Sequence, residues 1–534
     1  MELGAVSTHN RRDIFRWGSL KMSNQRNSMR NLWWGITGNI ITSLVAILIP
    51  RLFIVNYGSE VNGLLSSIRQ IYVYLALLEA GVGDASVIAL YGPIGRKDHQ
   101  ATNEILAATH YYYRKIGIIY AACVVALSFV YPLLLDTTIP YHVCCLVILL
   151  QGSGSVISYL FQGKYNMLLR VDNRNYVTTN LGTVTTVLTD VCRIVLLMMG
   201  KSIVAVQATY LVFNLIKMLY IAWYIKRNYP WIDLSVKPNF QAISQKSAVL
   251  VHQVSSLVFS HTDVLVLTFV CGLKTVSIYS MYATIYGMVS NLLTITSNSV
   301  QSVLGQTFHN DRKKYIELQD TFETYYLALV FGLFSIASIF ILPFMKLYTE
   351  GSDINYIDWK LPVLFGAYQL ISYGRASSNN IISFAGKFKE TQWRAWLETI
   401  INLVVSFVCV FRFGIYGVLM GTIAALIYRA NDIIIYANKV VLNRSPWPTY
   451  RRWLINLGLL LVMVFAFVHL PLRVDSYLWL LLNAMWVSIV VMIAFLGVNS
   501  IAEPKSRKVA HKYLMSMLGT MNKRRVRRES KDLE

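Results

Sequence analysis

The chain has 534 residues, of which 55% are hydrophobic and only 14% charged. A soluble domain carries roughly a quarter charged residues, so a water-soluble globule is excluded. The formal net charge of +22 would suit a nucleic-acid binder, but the placement of the lysines and arginines excludes that as well.

In chain order, a basic tail (residues 1–31) precedes fourteen apolar stretches near 32–55, 61–91, 111–135, 140–163, 176–199, 203–225, 245–270, 275–304, 321–348, 358–385, 391–412, 415–438, 453–472 and 475–499. Each is long enough to cross a hydrocarbon layer about 30 Å thick as a helix. The tail before Leu32 lacks the apolar core and cleavage site of a signal peptide, so the first span serves as an uncleaved insertion signal. About 37 of the 49 lysines and arginines fall in the two tails and every second loop, and about six in the alternate loops. That asymmetry predicts both termini on the cytoplasmic side and makes the positive charge a matter of topology and anionic lipid.

The expected fold class is an all-α integral membrane protein: two pseudo-symmetric six-helix lobes plus a C-terminal helix pair. The predicted layout is a cytoplasmic tail 1–31, an N-terminal lobe 32–226, a cytoplasmic linker 227–244, a C-terminal lobe 245–440, helices 13 and 14 within 450–499, and a basic amphipathic tail 500–534. A weak repeat supports the two lobes. Gly58–Tyr72 can be laid on Gly272–Tyr286, with Gly58 on Gly272, Ser66 on Ser280, and Ile71-Tyr72 on Ile285-Tyr286. Units of six spans share one orientation and would be related by an axis along the membrane normal. In the last segment, Tyr513, Leu514, Met517, Leu518 and Met521 recur at helical spacing before a run of arginines, which predicts a helix lying on the inner leaflet.

Ionisable residues inside spans are costly and mark cavities or partners. Arg51, Arg69, Lys217 and Arg375 have no acidic neighbour at helical spacing and are expected to line a hydrated cavity that receives an anion. Arginine suits phosphate because its planar guanidinium donates in pairs. Asp190 with Arg193, and Arg429 with Asp432, are three apart and can neutralise each other. His252, Ser256, Phe259 and Asp263 share a face of span 7, and Glu398 and Asn402 share a face of span 11. Their oxygens are hard ligands suited to Na⁺ or to proton exchange, with a buried polar network as the alternative.

Cys123, Cys144, Cys145, Cys192, Cys271 and Cys409 sit in or beside apolar spans and read as small packing residues. No P-loop, HExxH, GxSxG or CxxC motif is present, so a transporter is expected rather than an enzyme, with no cofactor and no metal beyond a coupling Na⁺.

The stretch from Asn27 to Asp98 carries a family resemblance. Its Gly58…Gly63-Leu64 turn, its Leu77-Leu78-Glu79-Ala80-Gly81-Val82-Gly83 run with Ala85, and its Leu90-Tyr91-Gly92-Pro93-Ile94 resemble the polysaccharide-exporter branch of the multidrug/oligosaccharidyl-lipid/polysaccharide superfamily. Asp263 with Gly272 and Tyr279, and Gly414-Ile415-Tyr416-Gly417 before Thr422, extend the likeness over roughly residues 27 to 440. The branch contains the Wzx-type flippases of O-antigen, capsule and exopolysaccharide repeat units. The resemblance implies a bacterial cytoplasmic-membrane protein that flips a polyprenyl-diphosphate-linked oligosaccharide to the outer leaflet by alternating access around a cationic cavity. Membrane lipids, and the polysaccharide polymerase machinery, are the implied partners. It also implies that Arg69 faces that cavity, and that Asp263, Glu398, Asn402 and Thr422 form a coupling-ion site for Na⁺ or H⁺. The swapped order of Glu398 and Asn402 departs from the related lipid II flippases, as does the lack of an arginine near Thr284. A lipid II-type flippase and a drug/cation antiporter of the same superfamily are the alternatives.

Overall fold

The computed structural model describes residues 45–515 apart from 46, 80, 244, 245, 471, 473 and 514, and for 246–256, 302, 388 and 389 the backbone alone. The predicted tail 1–31, and the amphipathic run beyond Tyr513 apart from residue 515, lie outside the described residues. All regular structure among the described residues is helical. This follows from burial in lipid, where a backbone without water must satisfy its own hydrogen bonds.

The helices are α1 (Ile47–Tyr57), α2 (Ser59–Leu75), α3 (Val82–Arg96), α4 (His99–Val130), α5 (Tyr141–Ile157), α6 (Gly163–Val171), α7 (Asn175–Met198) and α8 (Ile203–Asn228). There follow α9 (Lys246–Asn310), α10 (Arg312–Tyr348), α11 (Lys360–Gly374), α12 (Ala376–Phe384), α13 (Phe388–Phe413), α14 (Ile415–Ile435), α15 (Trp447–Val468) and α16 (Tyr477–Ala502). Eleven helical stretches among the described residues are long and apolar enough to span a membrane. The difference from fourteen has local causes. Two of the predicted spans form the one stretch α9, two helices joined across a kink at Gly272; the tenth is broken at Arg375 into α11 and α12; and much of the first lies outside the described residues. Side-chain caps begin several helices. Asp98 accepts from the Ala101 N–H at 3.0 Å and Asp311 from the Lys314 N–H at 3.1 Å, each satisfying a donor left over by the first turn.

The chain divides into two compact units, Met1–Ser277 and Ile278–Glu534. The division falls inside α9, beyond the 227–244 linker. The first part of α9 is stitched to α2 by a polar seam: Asn62 to Ser277 (2.7 Å), Ser67 to Thr268 (2.8 Å), Gln70 to His261 (2.6 Å) and Tyr74 to Thr262 (2.6 Å). Gly63 makes the approach possible, because a Cβ there would lie 1.9 Å from the Leu273 carbonyl oxygen.

In the first unit, Leu64, Ile68, Tyr120, Val147 and Val206 form one buried core and Leu90, Leu106, Leu168 and Ile221 another. In the second unit, Tyr315, Ile381, Ile433 and Ala437 form a core. The rings of Tyr282 and Tyr286 stack on Phe365, each with centroids 5.8 Å apart. Helices α15 and α16 pack on α10, joined to it by a charged knot. Arg452, 3% exposed, contacts Asp320 (3.1 Å), Glu323 (3.2 Å) and Glu503 (3.3 Å), and Arg444 contacts Asp320 (2.9 Å). Farther along the pair, Asn456 and Asn499 exchange amide hydrogen bonds of 3.1 and 2.8 Å.

The repeat is written in the backbone. Gly58 has φ 85° and ψ 171°, and Gly272 has φ 81° and ψ 171°. This conformation is essentially closed to side-chain-bearing residues. A second pair of positive-φ glycines, Gly200 (φ 64°) and Gly414 (φ 54°), ends the fifth predicted span of each lobe. Both pairs are 214 residues apart.

Candidate functional site

In the first unit, α7 and α8 form a polar wall. The turn at Gly200 folds them antiparallel, and a Gln207, Tyr210, Asn214, Lys217 stripe at steps of three and four runs down one face of α8. Arg193 of α7 donates through Nη2 to Gln207 Oε1 (2.8 Å) and lies over the Tyr210 ring, 5.5 Å from its centroid. Tyr210 is seated by Gly154 of α5, where a Cβ would come within 2.4 Å of the ring. Asp190, one turn before Arg193, stands 3.7 Å from it.

Arg69 of α2 lies within electrostatic range of Asp190, Arg193 and Tyr210. Its side chain is exposed, and among the described residues it makes no ion pair. Lys217 is half-buried and likewise has no ion pair among the described residues. The first unit therefore brings together Arg69, Arg193 and Asp190, with Lys217 on the same face of α8 as Tyr210. Arg51 of α1 is half-buried and engaged with another group. Asp263, also of this unit, is buried on α9 beside the α2 seam.

Nearby in the first unit the chain is irregular. Helix α2 runs through a 3₁₀ turn to Glu79, and Gly81, at φ 83°, opens α3. Tyr113 donates to Glu79 Oε1 at 2.5 Å, in room left by Gly83. A π-helical turn at Ser158–Gln162 precedes buried Lys164, whose Nζ donates to His110 Nδ1 at 3.0 Å. Such turns concentrate at functional sites.

The second unit treats its arginines differently. Arg375 Nη1 lies 2.7 Å from Glu398 Oε1, and Arg429 Nε lies 3.5 Å from Glu398 Oε2. Arg429 also bonds Asp432 (2.5 Å), which bonds Arg394 in turn. Five alternating charges thus join α11, α13 and α14. Arg375, expected as an unpaired cation, has an acidic partner on a different helix, where spacing along its own helix cannot reveal it.

Of the expected ion-site residues in this unit, Asn402 donates to Thr422 Oγ1 at 2.9 Å, both buried, and Asn402 Oδ1 is buried without a hydrogen bond. Glu398 lies one turn away on α13, with a guanidinium at each oxygen. That arrangement does not fit a cation ligand, because two arginines already fill the field of the carboxylate.

Gln207 and Tyr210 escaped the sequence reading, although the polar stripe on α8 signals them. Lys164 escaped it because it reads as the start of a basic loop. The knot of Arg452, Glu323 and Glu503 escaped it because its members are far apart in the chain.

No protein-family model and no curated protein matches the sequence. Among solved structures, the chain is similar to the lipid II flippase MurJ in an inward-closed conformation, with a TM-score of 0.67 at 14% identity over 89% of this chain and 99% of that one. It is also similar to an inward-facing multidrug resistance MATE family transporter of the MOP superfamily, at 0.60 and 14% identity over 74% of this chain and 93% of that one. An outward-facing MATE structure gives 0.52 at 16% identity, covering 78% and 95%. The chain has the fold of these solved structures, and eleven helical stretches among its described residues are long and apolar enough to cross a membrane.

Proposed function

We propose that the protein is a lipid-linked oligosaccharide flippase of the bacterial cytoplasmic membrane, of the Wzx type. It moves a polyprenyl-diphosphate-linked glycan from the cytoplasmic to the outer leaflet by alternating access, for synthesis of a surface polysaccharide. Both termini are cytoplasmic, in keeping with the basic even-numbered loops.

The observation that carries this reading is the cation excess on the first unit. Arg69 and Arg193 lie within electrostatic range of Asp190, only Arg193 pairs with it, and Lys217 farther along α8 has no ion pair among the described residues. Uncompensated cations inside apolar spans are expensive unless they serve a polar or anionic cargo. The diphosphate is the part of such a substrate that every glycan variant shares, and guanidinium forks match its oxygens. The likeness to a lipid II flippase supports a lipid-linked cargo. Coupling to a Na⁺ or H⁺ gradient is part of the proposal. In the arrangement seen here Glu398 is held by two arginines, so coupling through it requires those contacts to open.

Mass spectrometry of lipids that co-purify with the full-length protein tests the reading. A polyprenyl diphosphate bearing a short glycan on the wild type, lost in Arg69→Ala, supports it. Bulk phospholipid alone, together with drug efflux in vesicles, overturns it in favour of a drug/cation antiporter.

A further inference from the structure

We propose that Asp190 is the resident counter-anion of the first unit's cationic site, and that an incoming phosphate displaces it from Arg193 and from the field of Arg69. The inference rests on the reading of this site as the receiver of a phosphorylated lipid. It adds Arg193, Gln207 and Tyr210 to that site and gives Asp190 a role in setting its affinity.

The geometry of Asp190 is that of a loose occupant. Charge-assisted hydrogen bonds between a guanidinium and a carboxylate close to about 2.7–2.9 Å. Arg375 and Glu398 of this same chain reach 2.7 Å, whereas Asp190 stays 3.7 Å from Arg193. Among the described residues no hydrogen bond reaches the Asp190 carboxylate, although its side chain is only 13% exposed. A carboxylate that little exposed, and without hydrogen bonds, is held by charge alone. Two guanidiniums supply that charge, and neither offers it a fork.

Arg193 is held from elsewhere. Its hydrogen bond goes to Gln207 at 2.8 Å, its guanidinium lies over Tyr210, and its Nε is buried with no acceptor. Gln207 and Tyr210 keep the guanidinium in place whether or not Asp190 is beside it. A phosphate carries several acceptor oxygens and more charge than one carboxylate. Its oxygens can accept from the free Nε while its charge lies in the field of Arg69, which Asp190 at its present distance matches less fully.

The arrangement has a functional logic. When no substrate is bound, Asp190 lowers the cost of holding two arginines in an apolar span. When substrate is bound, the carboxylate becomes a like-charge neighbour of the phosphate, which limits affinity and favours release. A flippase must let go of its cargo, so moderate affinity is an asset.

The test is equilibrium binding of farnesyl diphosphate to the full-length protein in phosphatidylcholine nanodiscs, followed by tryptophan fluorescence. Asp190→Asn keeps the shape and removes the charge. It should bind about tenfold more tightly than wild type, since a lost like-charge contact at this range is worth about that factor. Asp190→Glu keeps the charge and should bind no more tightly than wild type. Arg69→Ala and Arg193→Gln should each weaken binding at least tenfold.

If the arginine variants lose binding while Asp190→Asn binds as wild type or more weakly, displacement is overturned and the anion-site reading stands. If the arginine variants bind as wild type, the site itself is wrong and both fall. If wild type shows no binding but Asp190→Asn does, the proposal is upheld; if neither binds, it is overturned. Asp190→Ser substitutes for Asp190→Asn should the latter not fold.

Discussion

Arg375, between α11 and α12, and Glu398 of α13, 23 residues apart, form a largely buried ion pair of 2.7 Å, and Arg429 closes on the other oxygen of the same carboxylate. Breaking one side of a buried pair leaves an uncompensated charge, at a cost of about 3–5 kcal/mol. Glu398→Gln should therefore lower the thermal midpoint of the purified protein by several degrees. The double variant Arg375→Gln/Glu398→Gln should recover part of that loss. An unchanged midpoint in Glu398→Gln would show that the network carries no stability.

Arg69 makes the opposite case. It has no ion pair among the described residues, so removing it breaks none. Arg69→Ala should keep the wild-type thermal midpoint within a degree or two and lose the co-purified lipid or the transport activity. A folded Arg69→Ala protein that transports normally would overturn its place in the site.

Gly63 tests the seam between α2 and α9. A methyl group there would collide with the Leu273 carbonyl at 1.9 Å, and backbone cannot swing aside. Gly63→Ala should cost about 1–3 kcal/mol or more, read as a fall in thermal midpoint and in yield of folded protein. Gly182→Ala, with nothing within 4 Å of the added carbon, is the matched control and should be silent.

Arg452 ties α15 to α10 and α16. It donates to Glu323, which is 1% exposed. Arg452→Met keeps the volume but removes the acid's 3.2 Å ion-pair partner, at about 3–5 kcal/mol. Hydrogen exchange should then rise in α15 and α16 before it rises in α13 and α14. Uniform exchange across all four helices would count against a local anchoring role.

Transport in vesicles with and without a Na⁺ or H⁺ gradient tests coupling. The rate is expected to fall at least tenfold when the coupling gradient is dissipated. Equal rates with and without both gradients would remove support for coupling through Asp263 and Glu398.

The helical architecture was legible in the sequence because lipid imposes a strong rule: an apolar run of this length must close its own hydrogen bonds. Gly58 and Gly272 were legible as a repeat because glycine is the residue that their φ of 85° and 81° demands. Arg69 and Lys217 were legible as cations without a partner on their own helix. Arg375 was not, since its partner on α13 is set by packing and no local rule links the two. Arg193 was legible as a partner of Asp190 three residues before it, and the two pair at 3.7 Å, but its hydrogen bond to Gln207 was not, since only the antiparallel fold of α7 on α8 brings those groups together. The break of the tenth span at Arg375 has no proline or internal glycine run to announce it.

The glycines at 58 and 272, and at 200 and 414, have a consequence for how such a chain can diversify. A joint made from a backbone angle asks nothing of its neighbours' chemistry. The surrounding side chains can be exchanged wholesale while the bend persists. This frees the two halves to specialise: the first leaves Arg69 and Lys217 without an ion pair among the described residues, and the second ties Arg375, Arg394 and Arg429 to Glu398 and Asp432. A repeated frame with unlike linings can change the chemistry of one half while both glycine bends stay as they are.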